Sequence, residues 1–170
     1  MTRGPARVIV AAVFGLLALA LQTTVLSRLP LPGGRPDLLL VVVVAAALTG
    51  GVPVGIGVGF SIGLAADLLS SHPAGVLALL FLLVGAATGH IESERERSVF
   101  WSMIVVAIAS VSAGIGYALL SSVVSGGGSW QQEIAGLPMA VLYNSMLTPF
   151  VVPLTAAIER ASRSTAMVRL

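Results

Sequence analysis

Long apolar runs almost without charge dominate this chain and leave few folds open to it. Val8 to Ser27, Leu38 to Leu48, Val99 to Val124 and Ile134 to Ile158 contain no charged residue. Val52 to Ser71 carries one, Asp67, and Ala74 to Ile91 holds only His90 near its end. A helix that crosses a bilayer needs about 20 mostly apolar residues. Strands of a membrane barrel are shorter and alternate, which these segments do not. A soluble domain offers no escape: 56% of the 170 residues are hydrophobic and 9% charged, where about 25% charged is usual. The mean hydropathy of +1.01 agrees. These features exclude an ordinary soluble enzyme, a nucleic-acid-binding domain and a disordered chain. They predict an all-α membrane protein, one polytopic bundle over residues 1–170.

Six spans are expected, over 8–27, 36–49, 52–71, 74–91, 99–124 and 134–158. The first is read as a span and not as a cleaved secretory signal, because it is full length and lacks a clean small-x-small site. The second is awkward. Even from Pro36 to Thr49 it reaches only about 21 Å as a helix. It either crosses a thinned bilayer or enters and returns as a hairpin with the next helix, and its backbone must be covered by protein.

Arginine placement orients most of the chain. All nine basic residues are arginine. Six spans with both ends inside put Arg3, Arg7, Arg95, Arg97, Arg160, Arg163 and Arg169 in the cytoplasm and Arg28 and Arg35 outside. Five spans with the N-terminus outside exchange the first pair for the second and score the same seven to two. Both arrangements agree from Val52 onward. Arg3 and Arg7, directly before the first apolar run, favour six. The connectors are short: a Pro/Gly-rich turn over Arg28 to Asp37, a charged elbow over Glu92 to Ser98, and a flexible Ser125 to Ser129.

Gly51, Gly55, Gly59 and Gly63 recur every four residues, and Asp67 continues the series. Such a ridge lets helix backbones approach closely. Packing inside this chain is weighed ahead of an interface with another protein. Gly85 and Gly89 offer a second, weaker ridge. Asp67, near the C-terminal end of its helix, opposes the helix dipole and needs a partner. Arg35, or Ser70, Ser71 and His72, are candidates. An anchor for the 71–74 turn is favoured over a ligand or proton site. Asp37, after Pro36, suits helix initiation. In the six-span arrangement Asp37, Asp67 and His72 share the outer side, though no spacing demands a metal. Asn144 in mid-membrane is expected to hydrogen-bond a neighbouring helix, and Pro149 and Pro153 to kink the last one.

Catalytic motifs such as HExxH or a P-loop do not occur. With no cysteine and two isolated histidines, thiolate chemistry is excluded and little is left for zinc. No catalytic residue, cofactor or metal site is expected.

The run Arg35-Pro36-Asp37-Leu38-Leu39-Leu40 is followed by Gly55, Gly59, Phe60, Gly63, Leu64, Asp67, Leu68, Leu69 and Ser70. Pro73, Gly75, Ala78, Leu79, Gly85 and Gly89 then complete the order. Over about residues 20–90, with Gln22 also fitting, this resembles the rod shape-determining protein MreD family. A polar residue common near the fourth-helix glycines is replaced by Ala86. The resemblance implies a non-enzymatic scaffold of the bacterial cell-wall elongation machinery that binds an MreC-like single-span protein through helix faces. It further implies action with MreB, RodA and a class B penicillin-binding protein. It also implies a six-helix architecture similar to the substrate-binding subunits of energy-coupling-factor transporters. A small-molecule-binding subunit of such a transporter is therefore the alternative. The partner-facing and packing candidates are Gly55, Gly59, Gly63, Asp67, Asp37, Gly85 and Gly89.

Overall fold

The computed structural model describes residues 4–70, 75–91, 98–124 and 130–167, with side chains described outside 4–12, 27, 130, 132–133 and 159–167. Described residues form helices and no strand. Helix α1 spans Gly4–Thr24 and is followed by a 3-10 turn, Leu26–Arg28. Then come α2 (Leu38–Gly50), α3 (Val52–Leu69), α4 (Val76–His90) and α5 (Val99–Val124). The short α6 (Trp130–Ala135) precedes α7 (Leu137–Met167). His72 and Pro73, the charged elbow with Arg95 and Arg97, and the Ser125 to Ser129 connector lie outside the described residues.

Helix α2 is the axis of the bundle. Every residue from Leu38 to Leu48 is buried, and Val41, Val43 and Val44 are wholly inaccessible. A helix apolar on all sides has no face for water and belongs in an interior. Here α1, α3, α4, α5 and α7 all pack against it. Its length of 13 residues, about 20 Å, fits a helix wrapped by protein, because its own ends need not reach the polar surface of a bilayer.

Outward faces are the reverse of a water-soluble surface. Leu17, Phe100, Leu119 and Phe150 are each more than 60% exposed. Contiguous apolar surface on this scale needs a non-aqueous surrounding or a partner. Three helical stretches are long and apolar enough to cross a membrane: Val52–Leu69, Val99–Val124 and Leu137–Ile158. Shorter apolar stretches occupy Val13–Thr24, Leu38–Gly50 and Val76–His90. These helices fit a membrane protein.

One residue turns the chain between α2 and α3. Gly51, with φ 75° and ψ −173°, uses a region open essentially to glycine alone. Its N–H donates to Ala47 O at 2.9 Å, and its carbonyl accepts from Gly55 N–H at 2.9 Å. Pro53 then sits in the first turn of α3, where no intrahelical N–H bond is required.

Helix bounds differ from the apolar runs at the last segment. The run Ile134 to Ile158 is divided at Gly136, with Ile134 and Ala135 closing α6 and a new helix starting at Leu137. Gly136 weakens a continuous helix, and Pro138 suits a fresh first turn. Helix α7 then continues through Pro149 and Pro153 to Met167. The Thr148 hydroxyl donates to Asn144 O at 2.8 Å beside the first of these prolines.

Candidate functional site

The glycines of α3 and α4 face one another. A Cβ at Gly55 would strike the carbonyl of Gly85, and one at Gly85 would strike the carbonyl of Gly55. Gly59 lies against the Phe81 carbonyl, and Gly63 against Leu77 O and Ala78 Cα. Gly89 meets Val52 and Gly51. The pairs descend α3 as they ascend α4, so the two helices run antiparallel with backbone touching backbone. A spacing of four makes a ridge slightly inclined to the helix axis, along which the two backbones stay in touch from Gly51 to Gly63. Without water to expel, such contact supplies van der Waals attraction that larger side chains would prevent.

Asp67 closes the same groove. Its side chain is 2% exposed. One carboxylate oxygen accepts the N–H groups of Gly75 at 2.8 Å and Ala78 at 3.0 Å, and the other accepts Leu77 N–H at 3.2 Å. The first N–H groups of a helix have no intrahelical acceptor. Asp67 satisfies those of α4 from the end of α3, where the carboxylate also meets the positive end of the α4 dipole. Its partners are therefore backbone amides at the start of α4. The Arg35 side chain lies instead beside the start of α2. Gly75, at φ 101°, takes the left-handed conformation that aims its N–H at Asp67.

A second polar cluster holds the start of α2, again by its backbone. Asp37 Oδ1 accepts Leu40 N–H at 3.1 Å, an N-cap within the helix. Asp37 N–H donates to Asn144 Oδ1 at 2.7 Å, and Asn144 Nδ2 donates to Ser110 Oγ at 3.0 Å. Gln22 of α1 uses both ends of its amide, accepting Leu38 N–H at 3.0 Å and donating to Pro36 O at 2.9 Å. Tyr143 OH reaches Pro32 O at 3.2 Å and fastens the Pro/Gly connector to α7. Two helices, α1 and α7, thus serve backbone groups at the start of α2, and Ser110 of α5 holds the Asn144 amide in place. Replacing Gln22 by leucine strands one donor and one acceptor, at about 1–3 kcal/mol each where buried. The expected outcome is a lower thermal unfolding midpoint in detergent, with Thr24→Val, whose hydroxyl returns to Ala20 O, close to wild type.

Asp37 and Asp67 serve different helix starts, and no hydrogen bond joins them. Among the described residues no three His, Cys, Asp or Glu side chains gather as metal ligands, and no buried side-chain N or O atom lacks a partner. His90 is exposed at the end of α4. Ser110 and Tyr143 carry no signal in the sequence that separates them from other helix residues. Gln22 does: it is the one amide in the first apolar run.

A family model described as rod shape-determining protein MreD matches residues 3–157. No curated protein matches, and no solved structure matches.

Proposed function

The chain belongs to the MreD family of rod shape-determining proteins, and from that premise we propose that it acts as a non-catalytic, multi-pass membrane scaffold. It would hold an MreC-like single-span protein against its helix faces within the wall-elongation machinery, near MreB, RodA and a class B penicillin-binding protein. One observation carries this reading: the buried Asp67 and Asn144 and the half-buried Gln22 spend their hydrogen bonds on holding the bundle. Asp67 accepts three backbone N–H groups, and Gln22 and Asn144 are bonded at both ends. A catalytic carboxylate needs a reacting group within reach, whereas these face helix ends. What the bundle offers outward is apolar helix surface, which suits association with another membrane helix.

Affinity purification from native membranes tests the proposal. The expected result is stoichiometric recovery of a single-span protein with no co-bound soluble small molecule. Recovery of a vitamin-sized ligand and no such partner would favour a transporter-type binding subunit.

Six spans with the N-terminal segment in the cytoplasm belong to the same proposal. The chain has no native cysteine, so single replacements can be labelled without background. Cysteine at Gly33 is expected to react with an impermeant maleimide in intact cells, and cysteine at Thr2 only after permeabilisation. Labelling at Thr2 but not Gly33 would mean five spans.

A further inference from the structure

A cavity of about 280 Å³ opens beside the start of α2, between α2, α4, α5 and α7. Its walls are largely apolar, with Leu40, Leu77, Leu80 and Phe81 among them, while Arg35 and Asp37 line its polar end. The two charges differ in how they are answered. Asp37 accepts Leu40 N–H and sits at the positive end of the α2 dipole. Asn144 and Ser110 are bonded to each other. Arg35 is exposed, and among the described residues no ion pair or hydrogen bond engages its side chain. An apolar chamber with one free guanidinium at its entrance is complementary to a molecule that is apolar at one end and anionic at the other. Arginine's planar donors suit a phosphate oxygen pair in particular.

We propose that this cavity binds a lipid of net negative charge, with its headgroup phosphodiester at Arg35 and part of its hydrocarbon chain between α4, α5 and α7. A resident lipid fills space that would otherwise be lost packing inside a bundle. It also places a headgroup beside the connector that Tyr143 and Gln22 fasten. This proposal stands apart from the scaffold reading, since partner binding can fail while lipid retention persists.

Native mass spectrometry of the whole purified chain in detergent tests it, with phosphatidylglycerol, phosphatidylcholine or inorganic phosphate added in separate arms. Wild type is expected to retain one phosphatidylglycerol at activation energies that strip phosphatidylcholine. Arg35→Gln removes a charged contact at an exposed position, so its fold should be spared. It is expected to weaken phosphatidylglycerol retention about tenfold, the equivalent of one charge-assisted hydrogen bond. Ala140→Phe, which fills the chamber, should lower retention of phosphatidylglycerol with Arg35 intact. Unchanged retention in Arg35→Gln, equal retention of phosphatidylcholine by wild type, or capture of inorganic phosphate in place of lipid would each overturn the proposal. Should Ala140→Phe fail to fold, Arg35→Gln decides alone.

Discussion

Gly59→Leu is expected to remove most of the folded protein from the membrane. A Cβ alone at that position would collide with the Phe81 carbonyl, and the next nearest atoms are also α4 backbone. Overpacking costs about 1–3 kcal/mol where side chains can yield, and more where they cannot. Backbone on both sides leaves no rotamer to change, so the two helices must separate along their length. Separation would also draw the α4 start away from Asp67. Against a total stability of about 5–15 kcal/mol, that loss is large. The measure is the monodisperse fraction after mild detergent extraction. Phe60→Leu serves as control, because Phe60 is 46% exposed on the outward side of the same turn. Wild-type recovery of Gly59→Leu would mean that α3 and α4 do not touch as described.

Asp67→Ala should be nearly as damaging, and Asp67→Asn distinctly milder. Alanine strands the N–H groups of Gly75, Leu77 and Ala78. Each unpaired buried donor costs about 1–3 kcal/mol, so the three together threaten the fold. Asparagine keeps one carbonyl oxygen that can accept two of these bonds. It loses the third and the charge–dipole attraction at the start of α4, itself about 0.3–1 kcal/mol or somewhat more when buried. Membrane protein level and thermal midpoint should therefore fall in the order wild type, Asn, Ala. Equal destabilisation by both would mean that charge, and not hydrogen-bond acceptance, is what Asp67 contributes.

Much of the bundle is legible in the amino-acid order alone, for identifiable reasons. Long uncharged runs mark the helices because a bilayer-scale helix admits few other sequences. The burial of α2 follows from Leu38 to Leu48 having no polar side to turn outward. A glycine every fourth residue reveals a ridge, yet spacing alone does not say what lies on it. That Gly55 meets Gly85 and Gly59 meets the Phe81 carbonyl depends on how two helices are offset, which no single residue encodes. Asp67 stands out as an ionisable group in an apolar segment, but its partners are backbone amides, and nearly every residue has one. Arg35 and the turn side chains are the partners that residue type alone suggests. Ser110 is invisible for a related reason: helix serines commonly return their hydroxyl to a preceding carbonyl, as Ser112 does to Ile108 O at 2.9 Å. The break at Gly136 shows the opposite failure, since hydropathy runs smoothly across a residue where the helix stops.

If Asp67 and its neighbours are structural members of a scaffold, Asp67→Asn separates structure from chemistry. Rod-shape complementation should be scored in a strain lacking the native protein, with membrane protein level measured in the same cells. With Asp67 holding α4 in place for partner binding, shape should be restored in proportion to the amount of folded Asp67→Asn protein, and Asp67→Ala should lose both together. Loss of rod shape by Asp67→Asn at wild-type protein level would contradict the scaffold role and assign the carboxylate a charge-dependent task beyond holding the fold.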